Sequence, residues 1–223
     1  MNPLIIKVCG IVHPDDAVSA AKSGADCIGI LFSPKSKRFV ETPLAREIAE
    51  AASENGATPI GVFVDESYDQ IMEILAKTGI KRIQLHGPSA RSSLKLLPSF
   101  VEPIFVTNLD QRGEPVDTCY EGQIEDSMRK FQTHYFLYDS SNPGSGTSFP
   151  WKTFSNKGKN RPWILAGGLN SENIQEAIEI CDPDGVDVST GVSDLSSPKG
   201  LRKDPKRMEL FIKIARSVKR SLP

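Results

Sequence analysis

Short, almost wholly apolar runs recur eight times along the chain, and stretches with helical spacing separate most of them. The runs are Leu4 to Val8, Cys27 to Phe32, Pro59 to Val64, Arg82 to Leu85, Pro103 to Val106, Tyr135 to Tyr138, Trp163 to Ala166 and Val186 to Val188. A strand apolar at nearly every position, not only at alternate ones, must be covered on both faces, and a parallel sheet under crossover helices provides that cover. Eight such units predict an α/β chain closed into a single (β/α)8 TIM barrel spanning residues 1–223, without a linker. The rival, an open doubly wound sheet, places a glycine-rich turn after its first strand, and Cys9-Gly10-Ile11-Val12 is not one. Gly144-Ser-Gly146 lacks a third glycine and an immediate helix, and there is no phosphate-loop Lys-Ser/Thr motif.

Helix signals fill the gaps. Pro14-Asp15-Asp16 opens one helix and Gly24 closes it, with acids at the positive end of the dipole. Thr42-Pro43 starts a second, whose expected buried face is Leu44, Ile48 and Ala51. Ser67 to Gln70 has capping-box spacing ahead of Ile71, Ile74 and Leu75, stopped by Gly79. The helix after the fourth run is weakly signalled and cut short by Pro98, and Asn108 to Thr118 reads as a loop before a helix through Tyr120, Ile124, Met128 and Phe131. Asn170 is the expected N-cap for Ile174, Ala177, Ile178 and Cys181. The last helix runs from about Pro205 with Met208, Phe211, Ile212, Ala215 and Val218 inward, and Arg202 to Arg207 reads as its solvated start.

A net charge of −1 shows no bias toward nucleic acid, and no apolar segment approaches the ~20 residues of a membrane span. Met1 to Lys7 reads as a strand, not a signal peptide, and Cys9, Cys27, Cys119 and Cys181 have neither pairing nor metal-ligand spacing. A cytoplasmic enzyme without metal or cofactor is expected, with Cys27 and Cys181 as plain buried residues.

In a barrel the C-terminal strand ends converge on one mouth. Here they are Cys9, Phe32-Ser33, Asp65, His86, Val106-Thr107, Asp139, Gly167-Gly168 and Ser189-Thr190-Gly191. The last two groups follow strands 7 and 8, where small residues let backbone N–H groups approach a phosphate monoester. A thiol, carboxylates and an imidazole around that cradle suit proton transfer on a sugar phosphate.

Lys7-Val-Cys-Gly-Ile11, Gly29-Ile-Leu-Phe32, Pro34-Lys-Ser-Lys-Arg38, Gly61-Val-Phe-Val64, Gln84-Leu-His-Gly87, Ala166-Gly-Gly-Leu-Asn170 and Gly185-Val-Asp-Val-Ser189, in that order over nearly the whole chain, resemble the phosphoribosylanthranilate isomerase family of tryptophan biosynthesis. The resemblance implies an Amadori rearrangement of N-(5-phosphoribosyl)anthranilate with Cys9 as base and Asp139 as acid. It implies Arg38 on the anthranilate carboxylate, and phosphate contacts from Gly146, Gly167, Gly168, Ser189, Thr190 and Gly191. His86 and Asp187 are substrate-binding candidates that a structural role in the barrel would serve equally. The implied partner is a small phosphosugar-anthranilate, taken by a monomer or homodimer. Lys7 shares the strand face of Cys9 and should favour thiolate, while the apolar run before Asp139 should raise its pKa. On these roles the alkaline limb of the pH profile belongs to Asp139.

The chain departs from the family pattern at Pro143-Gly144-Ser-Gly146, Phe149-Pro-Trp151, Pro88-Ser89 and Ser193, and its segment from Asp194 to Arg202 is long. The similar aminoaldose isomerase of histidine biosynthesis holds two phosphates and carries Asp where Cys9 stands; only one glycine cradle is present here. A phosphate-metabolite binder without catalysis would not need Cys9, Asp139 and Arg38 together.

Overall fold

The computed structural model describes residues 3–116, 121–132, 134–140, 148, 150–154 and 162–219. Eight parallel strands close on themselves in sequence order: β1 (Ile5–Cys9), β2 (Cys27–Leu31), β3 (Thr58–Phe63), β4 (Arg82–Leu85), β5 (Glu102–Leu109), β6 (Tyr135–Ser140), β7 (Trp163–Leu165) and β8 (Gly185–Val188). Helices α1 (Pro14–Lys22), α2 (Thr42–Glu54), α3 (Tyr68–Thr78), α4 (Pro88–Ser92), α5 (Glu121–Met128), α6 (Trp151–Phe154), α7 (Ile174–Cys181) and α8 (Pro205–Ser217) occupy the crossovers and the end. None of these helices is long and apolar enough to cross a membrane.

Strand alternation divides the core in two. Cys27, Ile60, Ile104, Val106, Leu137, Ile164 and Ala166 pack inside the barrel. Their strand neighbours, such as Ile28, Ile83, Phe105, Phe136 and Val186, meet helix residues Ile48, Ile71, Ile178 and Phe211 in a larger outer core. Each fully buried Ile or Leu contributes about 1.5–3 kcal/mol, so cover on both faces is what makes the strands apolar throughout.

Local signals hold where the backbone needs partners. Ser67 and Gln70 form the capping box of α3, and Gly79 ends that helix in the left-handed region. Asp204 caps α8, whose buried residues are Met208, Phe211, Ile212 and Ala215. Elsewhere packing shifts the expectation. The buried face of α2 is Ala45, Ile48, Ala49 and Ala52, with Leu44 exposed and Ala51 only partly covered; close packing of α2 against α1 favours the alanine stripe. Regular α7 follows Asn173, but the expected cap is made one turn earlier: Asn170 Oδ1 accepts from Glu172 N–H and Asn170 O from Ile174 N–H. Strand β5 runs on to Leu109, into the stretch expected to be loop, because β6 pairs with it as far as Ser140. Gly146, Cys119 and Tyr120 lie outside the described residues.

Candidate active site

A cavity of about 460 Å³ opens at the C-terminal ends of the strands. Cys9, Arg38, His86, Asp139, Gly167, Gly168, Asp187, Ser189 and Thr190 all line it, so the sequence-derived site residues converge on one mouth. Gly191 does not line it. It makes the site by contact: a Cβ there would lie 2.1 Å from Leu169 O, so only glycine lets the turn after β8 press on the turn after β7. Gly167 and Gly168 have φ of +89° and +64°, the left-handed region that turns the chain sharply after β7.

Beneath the mouth lies a charged layer. Lys7 and Asp187 are register partners on β1 and β8, and Lys7 Nζ donates to Asp187 Oδ2 at 2.8 Å with Lys7 fully buried. Burial is the largest single influence and opposes the Lys7 ammonium, but Asp187 and Cys9 together outweigh it and raise the lysine pKa above its usual value. Asp187 Oδ1 is buried with no protein partner. Gly29 pairs with Cys9 and makes the room, since a Cβ there would sit 2.6 Å from Cys9 Sγ and 3.1 Å from Lys7 Nζ.

Cys9 therefore has its expected cation, yet the balance is not the expected one. Burial is the largest influence and pushes the thiol pKa up, while Lys7 opposes and Asp187 reinforces the rise. Asp139 behaves as anticipated: burial first, then Asp187, pushes its pKa up to about 7, against the Ser140 N–H that donates to its Oδ1 at 2.8 Å. Burial, together with the Lys7 and Arg91 cations, pushes His86 down to about 4, so its ring is neutral at pH 7. Its Nε2 stands 3.8 Å from Asp139 Oδ2, beyond hydrogen-bond length.

Arg38 departs most from the reading of its motif. Its neighbours Lys35 and Lys37 are exposed or nearly so, but Arg38 is 5% exposed. Nη1 donates to Gly10 O (3.2 Å) and Leu201 O (2.7 Å), and Nη2 to Ser193 Oγ (2.8 Å) and Gly200 O (2.8 Å). The planar fork thus fastens the segment after β8 to the turn after β1. Ser189 is likewise engaged, its hydroxyl donating to Cys9 O at 3.0 Å.

Three residues of this neighbourhood carry weaker sequence signals. Gln84 stands two residues before His86, the alternation that turns both into the barrel, and its Nε2 lies 3.4 Å from His86 Nδ1. Asp16, expected only as a helix-start acid, is buried and receives both the Arg202 guanidinium and Lys203 N–H. Lys203 is buried as well, so the expectation of a solvated stretch from Arg202 to Arg207 is corrected. Nothing local separates Lys203 from exposed Lys206 and Arg207; its burial follows from contacts with distant segments.

The profile of the N-(5'phosphoribosyl)anthranilate (PRA) isomerase family matches residues 6–213. N-(5'-phosphoribosyl)anthranilate isomerase of Chlamydia caviae is 41% identical over 207 residues, covering 93% of this chain and 94% of the relative. N-(5'-phosphoribosyl)anthranilate isomerase 1, chloroplastic, of Arabidopsis thaliana is 36% identical over 217 residues, 96% of this chain and 75% of the relative. A crystal structure of phosphoribosyl anthranilate isomerase in complex with reduced 1-(o-carboxyphenylamino)-1-deoxyribulose 5-phosphate superposes with a TM-score of 0.74 at 28% identity, covering 96% of this chain and 100% of that one. With a closed barrel, a buried thiol and carboxyl at one mouth and a matching profile over nearly its full length, the chain belongs to the N-(5'-phosphoribosyl)anthranilate isomerase family.

Proposed function

We propose that the chain performs the family's Amadori rearrangement with Asp139 as acid and Cys9 as base. The protonated Asp139 carboxyl gives its proton to the furanose ring oxygen, the bond from C1 to that oxygen breaks, and the nitrogen lone pair forms the iminium. Cys9 thiolate takes the proton from C2, and the electron pair left behind closes an enolamine. The enol hydroxyl then loses its proton while C1 gains one, giving the 1-amino-1-deoxyketose. Asp139 and Cys9 end with their protonation states exchanged and reset by passing one proton between them through solvent.

The observation that carries this reading is a carboxyl with a pKa of about 7 sharing one cavity with a thiol that faces a buried ammonium. A carboxyl of that pKa is half protonated at neutrality and can still donate. The thiol is costly to ionise in the empty site, but ring opening creates a cation beside it, and unlike charges in a low dielectric favour the thiolate when it is needed. Gly167, Gly168 and the Ser189-Thr190 turn suit the phosphate, with Gly191 letting the two turns touch. The unpartnered Asp187 Oδ1 is an acceptor for a sugar hydroxyl. Arg38 is the proposed grip on the anthranilate carboxylate, and a bidentate hold requires it to release at least one acceptor such as Gly200 O, since only Nε–H is otherwise left.

The test is conversion of N-(5-phosphoribosyl)anthranilate carrying deuterium at the sugar C2. Purified protein should form the ketose phosphate with a primary isotope effect or loss of the label to solvent. No turnover, or turnover that carries the whole C2 label to C1 with no isotope effect, refutes proton abstraction from that carbon by a thiol that exchanges with water.

A further inference from the structure

The segment 193–203 leaves the turn after β8 and returns to it, with Ser193 and Lys203 bridged antiparallel and Asp194 N–H donating to Arg202 O. At its return, Lys203 N–H donates to Asp16 Oδ2 at 3.0 Å, while the Arg202 guanidinium grips both oxygens of the same carboxylate. The Lys203 backbone is thereby anchored to α1, and its side chain turns inward. Nζ donates to Ser189 O at 2.8 Å, and the residue is 3% exposed. An ammonium is a poor filler for such a place, because its desolvation costs several kcal/mol by rough reckoning and a neutral side chain would pack without that cost.

What it holds is the peptide between Ser189 and Thr190. In a trans peptide the C=O and N–H point in opposite directions. Drawing Ser189 O onto Lys203 therefore aims Thr190 N–H in the opposite direction within the same peptide plane, and Thr190 lines the cavity. A second, longer contact from Ser193 Oγ (3.4 Å), itself held by Arg38, restrains the same carbonyl. The Ser189 hydroxyl in turn donates to the carbonyl of Cys9. One chain of contacts thus runs from α1 through Lys203 and Ser189 to the residue carrying the thiol.

We propose that Lys203, as an ammonium, is a positioning residue of the isomerase reaction: it sets the turn after β8 to receive the substrate phosphate and ties that turn to the strand end bearing Cys9. The proposal rests on the phosphate site placed above at the turns after β7 and β8. Four groups face the ammonium: Arg38 from the segment after β2, Cys9 at the end of β1, Asp187 on β8 and Asp16 on α1. Burial, then Arg38, brings its pKa down to about 7, with Cys9, Asp187 and Asp16 opposing. The proton that makes the contact charge-assisted is therefore lost as pH rises through neutrality.

The experiment compares Lys203→Met and Lys203→Gln with the unsubstituted enzyme, measuring KM and kcat for the aminoaldose and inhibition by inorganic phosphate. Lys203→Met should raise both KM and the phosphate inhibition constant by roughly tenfold, the loss expected for a hydrogen bond to a charged group. Lys203→Gln, which keeps an N–H donor but no charge, should recover part of that loss. In the unsubstituted enzyme KM should climb above neutrality, and Lys203→Met should abolish the climb. A lower melting temperature with KM and phosphate inhibition within twofold of the unsubstituted enzyme overturns the proposal, because that is what a merely structural lysine would give. If neither variant folds, a KM flat between about pH 6 and 9 in the unsubstituted enzyme overturns it. Should inorganic phosphate fail to compete in the unsubstituted enzyme, the phosphate-site reading itself falls and takes this proposal with it.

Discussion

Substituting Asp139 by Asn should erase the limb near pH 7 and leave a residual activity that rises only as the Cys9 thiol ionises. Asp139, the proposed acid, has a pKa of about 7, and Cys9, the proposed base, is raised above the ordinary cysteine value near 8.5. When the pair holds one proton, that proton therefore resides mostly on Cys9. The competent arrangement, with Asp139 protonated and Cys9 ionised, is therefore the minority form of the singly protonated pair. Both arrangements contain the same number of protons, so both rise and fall together with pH. Activity should climb as the doubly protonated pair loses its first proton near 7, level off, and fall only when the second leaves. This inverts the assignment made from roles alone, in which a required acid implies an alkaline limb. The assay is kcat at saturating substrate against pH, where the KM rise expected from Lys203 does not enter, for the unsubstituted enzyme and for residual activity in Asp139→Asn, expected to be lower by about 10²–10⁴-fold. The substrate phosphate titrates near 6 and adds its own acidic limb, so the Asp139 limb is identified by its disappearance. Activity that is high below pH 6 and drops through 7 would refute the ordering of the two groups, and an Asn variant retaining the limb at 7 would refute its assignment.

Cys9→Ser should lower turnover by about 10²–10⁴-fold while a stable product analogue binds within a few-fold of the unsubstituted enzyme, and near-normal turnover would remove Cys9 from the mechanism. Arg38→Lys keeps the charge but loses the fork that reaches four acceptors, so urea unfolding should show a loss of about 2–4 kcal/mol; an unchanged midpoint would show that those contacts are idle. A substrate lacking the anthranilate carboxylate should be processed poorly, and equal processing would give Arg38 a purely structural task. Gly191→Ala drives a Cβ to 2.1 Å from Leu169 O, so the two turns must part; KM should rise with kcat less affected, and an unchanged KM would separate this contact from phosphate binding.

The barrel was legible in the chain because a parallel strand buried on both faces is apolar at most positions, with polar side chains such as Lys7, Gln84 and Asp187 kept to those near the mouth. The ends of those strands located Cys9, His86, Asp139, Gly167 and Ser189 from order alone. Caps such as Ser67 with Gln70 were legible for the same local reason, since their partners lie within three residues. The alanine stripe of α2 was not, because which flank of a helix is buried depends on what packs beside it. Nor were the tasks of Arg38 and Lys203 legible: the guanidinium closes contacts 28 to 163 residues away, and the ammonium sits in a fold of chain that Asp16 anchors from 187 residues off. The family resemblance offered Asp139 as acid and Cys9 as base, but the order in which the two groups ionise required tertiary structure. Lys7 beside Cys9 is a local fact that favours thiolate; how much water the closed barrel removes from that thiol is not local, and desolvation prevails.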